Sequence, residues 1–142
     1  MKITIAGSVT FAKEQLNIKK ELEQIGHTIF ISDDLEEYIN KPNIKLSFDE
    51  ELKLSKEYDI LRKFYNKIAE GDALLVCNYD KNGIKGYLGT SVLIEIGLAY
   101  YIKKKVYLLN DIDMNQGYAM EVSIMEPIIL NGNLSKIVWL KQ

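Results

Sequence analysis

One carboxylate stands where a carboxylate is costly. From Gly86 to Ile102 the chain carries a single formal charge, that of Glu95, inside the stretch SVLIEIGLAYY. Burying an unpaired carboxylate costs several kcal/mol or forces it to take up a proton. On a helix, Ser91, Glu95 and Ala99 stack at i, i+4 and i+8, and the small neighbours leave room for a ligand beside the carboxylate. Glu95 also falls about a turn and a half after the expected helix start at Thr90, where the helix dipole favours negative charge. Its functional reading is a catalytic carboxylate, and its ordinary alternative is a glutamate on the solvent edge of a mostly buried helix.

Other residues offer weaker chemistry. Gly89-Thr90-Ser91 at a helix N-terminus supplies free backbone N–H groups and two hydroxyls for an anion or sugar hydroxyl, or else simple N-capping. Gly7 and Ser8 follow the first expected strand. Asp80 and Asn82 lie in the loop before the Glu95 helix. Asp72 stands between a helix end (KIAEG) and an apolar strand (ALLVC), a common place for a turn aspartate. A residue entering a strand is also at the wrong end for a ligand. Asp33, Asp34, Glu36 and Glu37 read as the first turn of a helix rather than a metal site. The single histidine, His27, follows a helix end, which argues against a histidine-based metal site or serine triad. No G-x-G-x-x-G or Walker sequence occurs.

The elements that must position these residues are legible as an alternation. KITIA (2–6) reads as a strand, 10–25 as an amphipathic helix stopped by Gly26, and 28–32 as a second strand. Residues 33–57 are acidic, contain Pro42, and read as a short helix and loop forming a flap, followed by a longer helix through Ala69. Then come strand 73–77, a loop over 78–86, a helix over 90–104, strand 106–109, a short helix and strand 127–130. The tail 136–140 reads as an edge strand or a packing segment for a partner. Strands alternating with helices predict a three-layer α/β sandwich with a roughly five-stranded parallel sheet, flavodoxin/Rossmann-like, as a single domain over 1–142. Ligands in such folds sit beyond the carboxyl ends of the strands.

Totals exclude several classes. With 142 residues, 47% hydrophobic and 27% charged, the composition is that of a globular protein with a real core. A net charge of -2 gives no electrostatic case for binding nucleic acid or an anionic membrane. The apolar run at 86–102 is shorter than the roughly 20 residues of a membrane span. The lone Cys77 in an apolar strand and the absence of a leader before the first strand fit a cytoplasmic protein.

Taken in order, AGS at 6–8, GDALLV at 71–76 and GTSVLIEIGLAY at 89–100 resemble the nucleoside 2-deoxyribosyltransferase-like superfamily. It contains deoxyribosyltransferases and deoxynucleoside 5′-monophosphate N-hydrolases. Its most specific element is E-x-G-x-A, here Glu95, Gly97 and Ala99. The resemblance implies that Glu95 is the nucleophile and that Asp72 handles the leaving base. It also implies a small-molecule nucleoside or nucleotide substrate, no cofactor, and assembly as a homodimer or larger homo-oligomer, with Tyr100-Tyr101 as an interface candidate. Gly89 stands where transferases carry a sugar-binding aspartate and hydrolases a phosphate-binding serine, and Phe11 is the nearest match to an aromatic residue after strand one. The expected reaction is retaining cleavage or transfer of an N-glycosidic bond. The alternative is a nucleotide-binding sensor of the same fold with little turnover.

Overall fold

Alternating apolar residues in β1 (Lys2–Ala6) decide the layering. Ile3 and Ile5 point into one core and Ala6 into another, so both faces of the strand are covered. The buried Thr4 between them donates its hydroxyl to the Lys67 carbonyl at 2.9 Å. A computed structural model describes residues 1–41 and 45–138. The chain continues through α1 (Ala12–Gln24), β2 (Thr28–Phe30), α2 (Asp33–Asn40), α3 (Phe48–Glu57), α4 (Ile60–Glu70) and β3 (Ala73–Val76). It ends with α5 (Thr90–Tyr101), β4 (Lys105–Leu108), α6 (Ala119–Ile124) and β5 (Ile128–Ile129).

The five strands pair in the order β2-β1-β3-β4-β5, every pair parallel. Ala73, Leu75 and Cys77 face a core built with α1 and α2, through Ala12, Ile18, Leu22 and Leu35. Leu74 and Val76 face a core built with α4, α5 and α6, through Phe64, Ile68, Val92, Ile96, Ala99 and Val122. This is the expected three-layer α/β sandwich. The chain leaves β1 toward β2 and then returns to β1's other side as β3, so a topological switch point lies between the carboxyl ends of β1 and β3.

The differences from the expected elements are local. The first helix opens with a 3-10 turn, Val9–Phe11, because the Ser8 hydroxyl accepts the Thr10 N–H and holds that turn tight. The long helix before β3 divides at Asp59, whose left-handed backbone (φ 51°) separates α3 from α4. Ser32 is not strand: its hydroxyl accepts the Leu35 N–H at 3.2 Å and caps α2. In the tail, Leu134–Lys136 forms a 3-10 turn rather than strand, and Ile137 is buried in the α1-side core. Pro42 and Ile44 of the expected flap, and residues 139–140 of the expected edge strand, lie outside the described residues. Among the described residues no helix is long and apolar enough to cross a membrane.

Candidate functional site

At the switch point the chain opens into a cleft of roughly 360 Å³, within the range of small-molecule sites. Gly7 and Ser8 after β1, Cys77 and Tyr79 after β3, and Gly89, Thr90, Ser91 and Glu95 of the α5 segment all line it. Gly7 is there for close approach: a Cβ would meet the Gln15 side-chain amide at 3.0 Å and the Cys77 carbonyl at 3.2 Å. The buried Gln15 donates from Nε2 to the Ser8 carbonyl at 2.8 Å and so fixes the turn after β1.

Glu95 is 7% exposed. It makes no hydrogen bond or ion pair among the described residues, and burial pushes its pKa up to about 7. The first turn of α5 starts from Gly89, which supplies no side-chain cap, so Thr90 and Ser91 are exposed at the cleft instead of closing the helix end. N-capping by these hydroxyls does not occur.

A cation reaches the same place. Lys81 Nζ donates to Ser8 Oγ at 3.0 Å and lies 5.7 Å from the Tyr87 ring centroid. The loop carrying Lys81 is fastened by Asn78 and Asn110. Asn78 Nδ2 donates to the Asn110 carbonyl at 2.7 Å, and its Oδ1 accepts the Asn110 N–H at 2.9 Å. Gly86 closes the loop in a left-handed conformation (φ 58°), where a Cβ would come within 1.9 Å of the Asp111 carbonyl oxygen. Phe11 and Tyr79 pack together in the cleft wall, ring centroids 4.9 Å apart. Cys77 is a cleft residue with its thiol pushed up to about 12 by burial, so it is no nucleophile at neutral pH.

Three expected site residues are elsewhere. Asp72 lies at the start of β3, on the opposite edge of the sheet, where Oδ2 accepts the Lys2 N–H at 2.8 Å and its own N–H donates to the Lys2 carbonyl at 2.7 Å. It fastens β3 to β1, as the position before a parallel strand dictates. Asp80 turns back to accept the Gly86 N–H at 2.9 Å and lines a shallower depression with Lys85, Asn110, Asp111 and Asn131. Asn82 is exposed at the loop tip with φ 54°, a turn role its side chain suits. Gln15, Asp34 and Lys81 also line the cleft, and the sequence did not single them out as site residues. For Gln15 the signal was available: it is a polar residue on the apolar face of α1.

No protein-family model matches the chain, and no curated protein matches it. A solved structure does: the Clostridium botulinum CMP N-glycosidase BcmB, with a TM-score of 0.53 and 16% sequence identity, aligned over 91% of this chain and 85% of that one. The two proteins share a fold. At that identity the likeness establishes the five-stranded α/β architecture, and the chemistry rests on the cleft itself.

Proposed function

We propose that this protein cleaves the N-glycosidic bond of a nucleoside 5′-monophosphate through a covalent glycosyl-enzyme on Glu95. The observation that carries the reading is a buried carboxylate without a partner among the described residues, held by a helix at the β1/β3 switch point in the same cleft as a lysine–serine pair. Such a carboxylate attacks C1′ as the base departs, and its negative charge stabilises the developing oxocarbenium ion. Water, or a second base, then releases the sugar. The fold shared with a CMP N-glycosidase supports the same reaction class.

The phosphate belongs with Lys81, Ser8 and the uncapped N-terminus of α5. A lysine within hydrogen-bonding reach of a hydroxyl makes a charge-assisted anion site, and helix N–H groups add to it. Gly89 keeps a repelling carboxylate out of that corner. Each such contact contributes about 1.5–3 kcal/mol, so the monophosphate is preferred over its nucleoside by at least about tenfold. Assembly into homodimers or larger oligomers is part of the proposal, through the outward face of α5.

The test is incubation with nucleosides and with their 5′-monophosphates, followed by chromatography for free base. Base release that disappears in Glu95→Ala is the expected result, with Lys81→Ala raising KM for the monophosphate and leaving that of the nucleoside unchanged. Tight nucleotide binding without base release from wild type would instead establish a sensor. That reading has one residue in its favour, the missing sugar-binding carboxylate at Gly89.

A further inference from the structure

Glycoside cleavage ordinarily needs two carboxyl groups, and the described cleft lining contains two: Glu95 and Asp34. Asp34 arrives there because β2 pairs beside β1, so the turn that follows β2 opens onto the same sheet edge. Its neighbours are all committed. Ser32 caps α2 through the Leu35 N–H. Asp33 accepts from Lys67 Nζ at 2.8 Å, and the same ammonium donates to the Ile31 carbonyl at 2.7 Å. Lys67 thus pins the β2–α2 turn to α4. Asp34 makes no hydrogen bond or ion pair among the described residues.

The rest of the cleft assigns the direction. With phosphate at Lys81 and Ser8 and C1′ at Glu95, the lining left for the base is largely apolar, the Phe11–Tyr79 pair and the start of α4 through Ile60, Leu61 and Phe64, and Asp34 is its one carboxyl group among the described residues. We propose that Asp34 is the acid that protonates the departing base, and the base that takes a proton from water in the second half-reaction. This inference rests on the N-glycosidase reading above. In the first step the C1′–N bond breaks with its electron pair going to the base. The Asp34 carboxyl proton goes to the base, and Glu95 forms the C1′–O bond. In the second step water attacks C1′, its proton returns to Asp34, and the Glu95 carboxylate leaves. Partial desolvation, then the nearby carboxylates of Glu37, Glu51 and Asp33, raises the pKa of Asp34. Asp34 keeps contact with solvent, the route by which a spent acid recovers its proton.

A leaving-group series decides it. The substrates are the 5′-monophosphate of whichever natural base wild type releases and its ring-fluorinated and ring-nitrated analogues, whose bases leave more easily. Asp34→Asn is expected to slow the natural base by about 10²–10⁴-fold, with the loss shrinking to less than about tenfold for the nitrated base. Asp34→Glu is expected to restore part of the rate on the natural base, which a merely structural defect would not allow. A uniform loss across the series, or no loss, overturns the role of Asp34 and leaves the function intact. Failure of wild type to release any base overturns both readings. Release that survives Glu95→Ala overturns the covalent mechanism, while the series still decides Asp34.

Discussion

At the scale of single residues, the burial of Glu95 costs stability at neutral pH. Its pKa in the folded chain is about 7 against an ordinary 4.5, because burial penalises the ionised form. Between those values the folded state holds a proton that the unfolded chain has already lost. Stability from this site is therefore complete below about pH 4.5 and falls as pH rises through 7. At 1.36 kcal/mol per unit the loss is about 3 kcal/mol. Glu95→Gln, always neutral, is expected to be more stable than wild type by about that amount at pH 8 and equal to it at pH 4, as measured by urea unfolding at the two pH values. The rate depends on ionisation too. A nucleophile must be ionised while the proposed acid Asp34 keeps its proton, so base release should follow a bell-shaped pH profile that Asp34→Asn turns into a single rise through about 7, and Glu95→Ala should lose several orders of magnitude while retaining its fold by circular dichroism. A flat pH–rate profile between pH 5 and 8 would remove Glu95 from the mechanism.

The elements that matter most are the two loops at the carboxyl ends of β3 and β4. The Asn78–Asn110 pair and the Gly86–Asp111 contact lock one loop to the other, and Lys81 rides on the first. Gly86→Ala must move the Asp111 backbone and hold an alanine at positive φ. A loss of about 2–3 kcal/mol is expected, with a monophosphate affinity that falls more than that of the nucleoside. Thermal melts and parallel titrations of the two ligands check both halves. On the opposite sheet edge Asp72 joins β1 to β3 by an exposed charge-assisted bond, and Asp72→Ala is expected to lower stability by about 1 kcal/mol. The loss would be read as a lower urea midpoint with an unchanged slope.

Across the whole molecule, the most apolar helix is only half covered. Ile94 and Tyr101 of α5 are 54% and 83% exposed, Gly97 between them meets nothing within 4 Å of a built Cβ, and Met120 and Ile124 of α6 are also exposed. A helix apolar on every side is normally buried on every side. A second copy of the chain on this face, as proposed above, would satisfy that rule. If it does, Ile94→Glu with Tyr101→Glu is expected to convert a dimer to monomer, visible as a halved mass in light scattering. An unchanged mass would remove this face as an interface.

The sequence alone determined the alternation of strands and helices, the parallel sheet and the prominence of Glu95. Each depends on local quantities: apolar period, cap residues, and one charge in an apolar helix. It also contained the argument that Asp72 enters its strand at the end away from the cleft edge, and the structure places Asp72 at that end, bonded to the Lys2 backbone. What only the tertiary structure decided is which acidic residue joins Glu95. Asp34 reads as one of several carboxylates in a helix's first turn, and nothing local separates it from Asp33, Glu36 or Glu37. Strand order brings the turn to the cleft, and the Lys67 ion pair holds Asp33 away from it. Parallel pairing sends every strand's carboxyl end to one edge, and placing β2 against β1 brings the residue two positions past the Ser32 cap into the cleft.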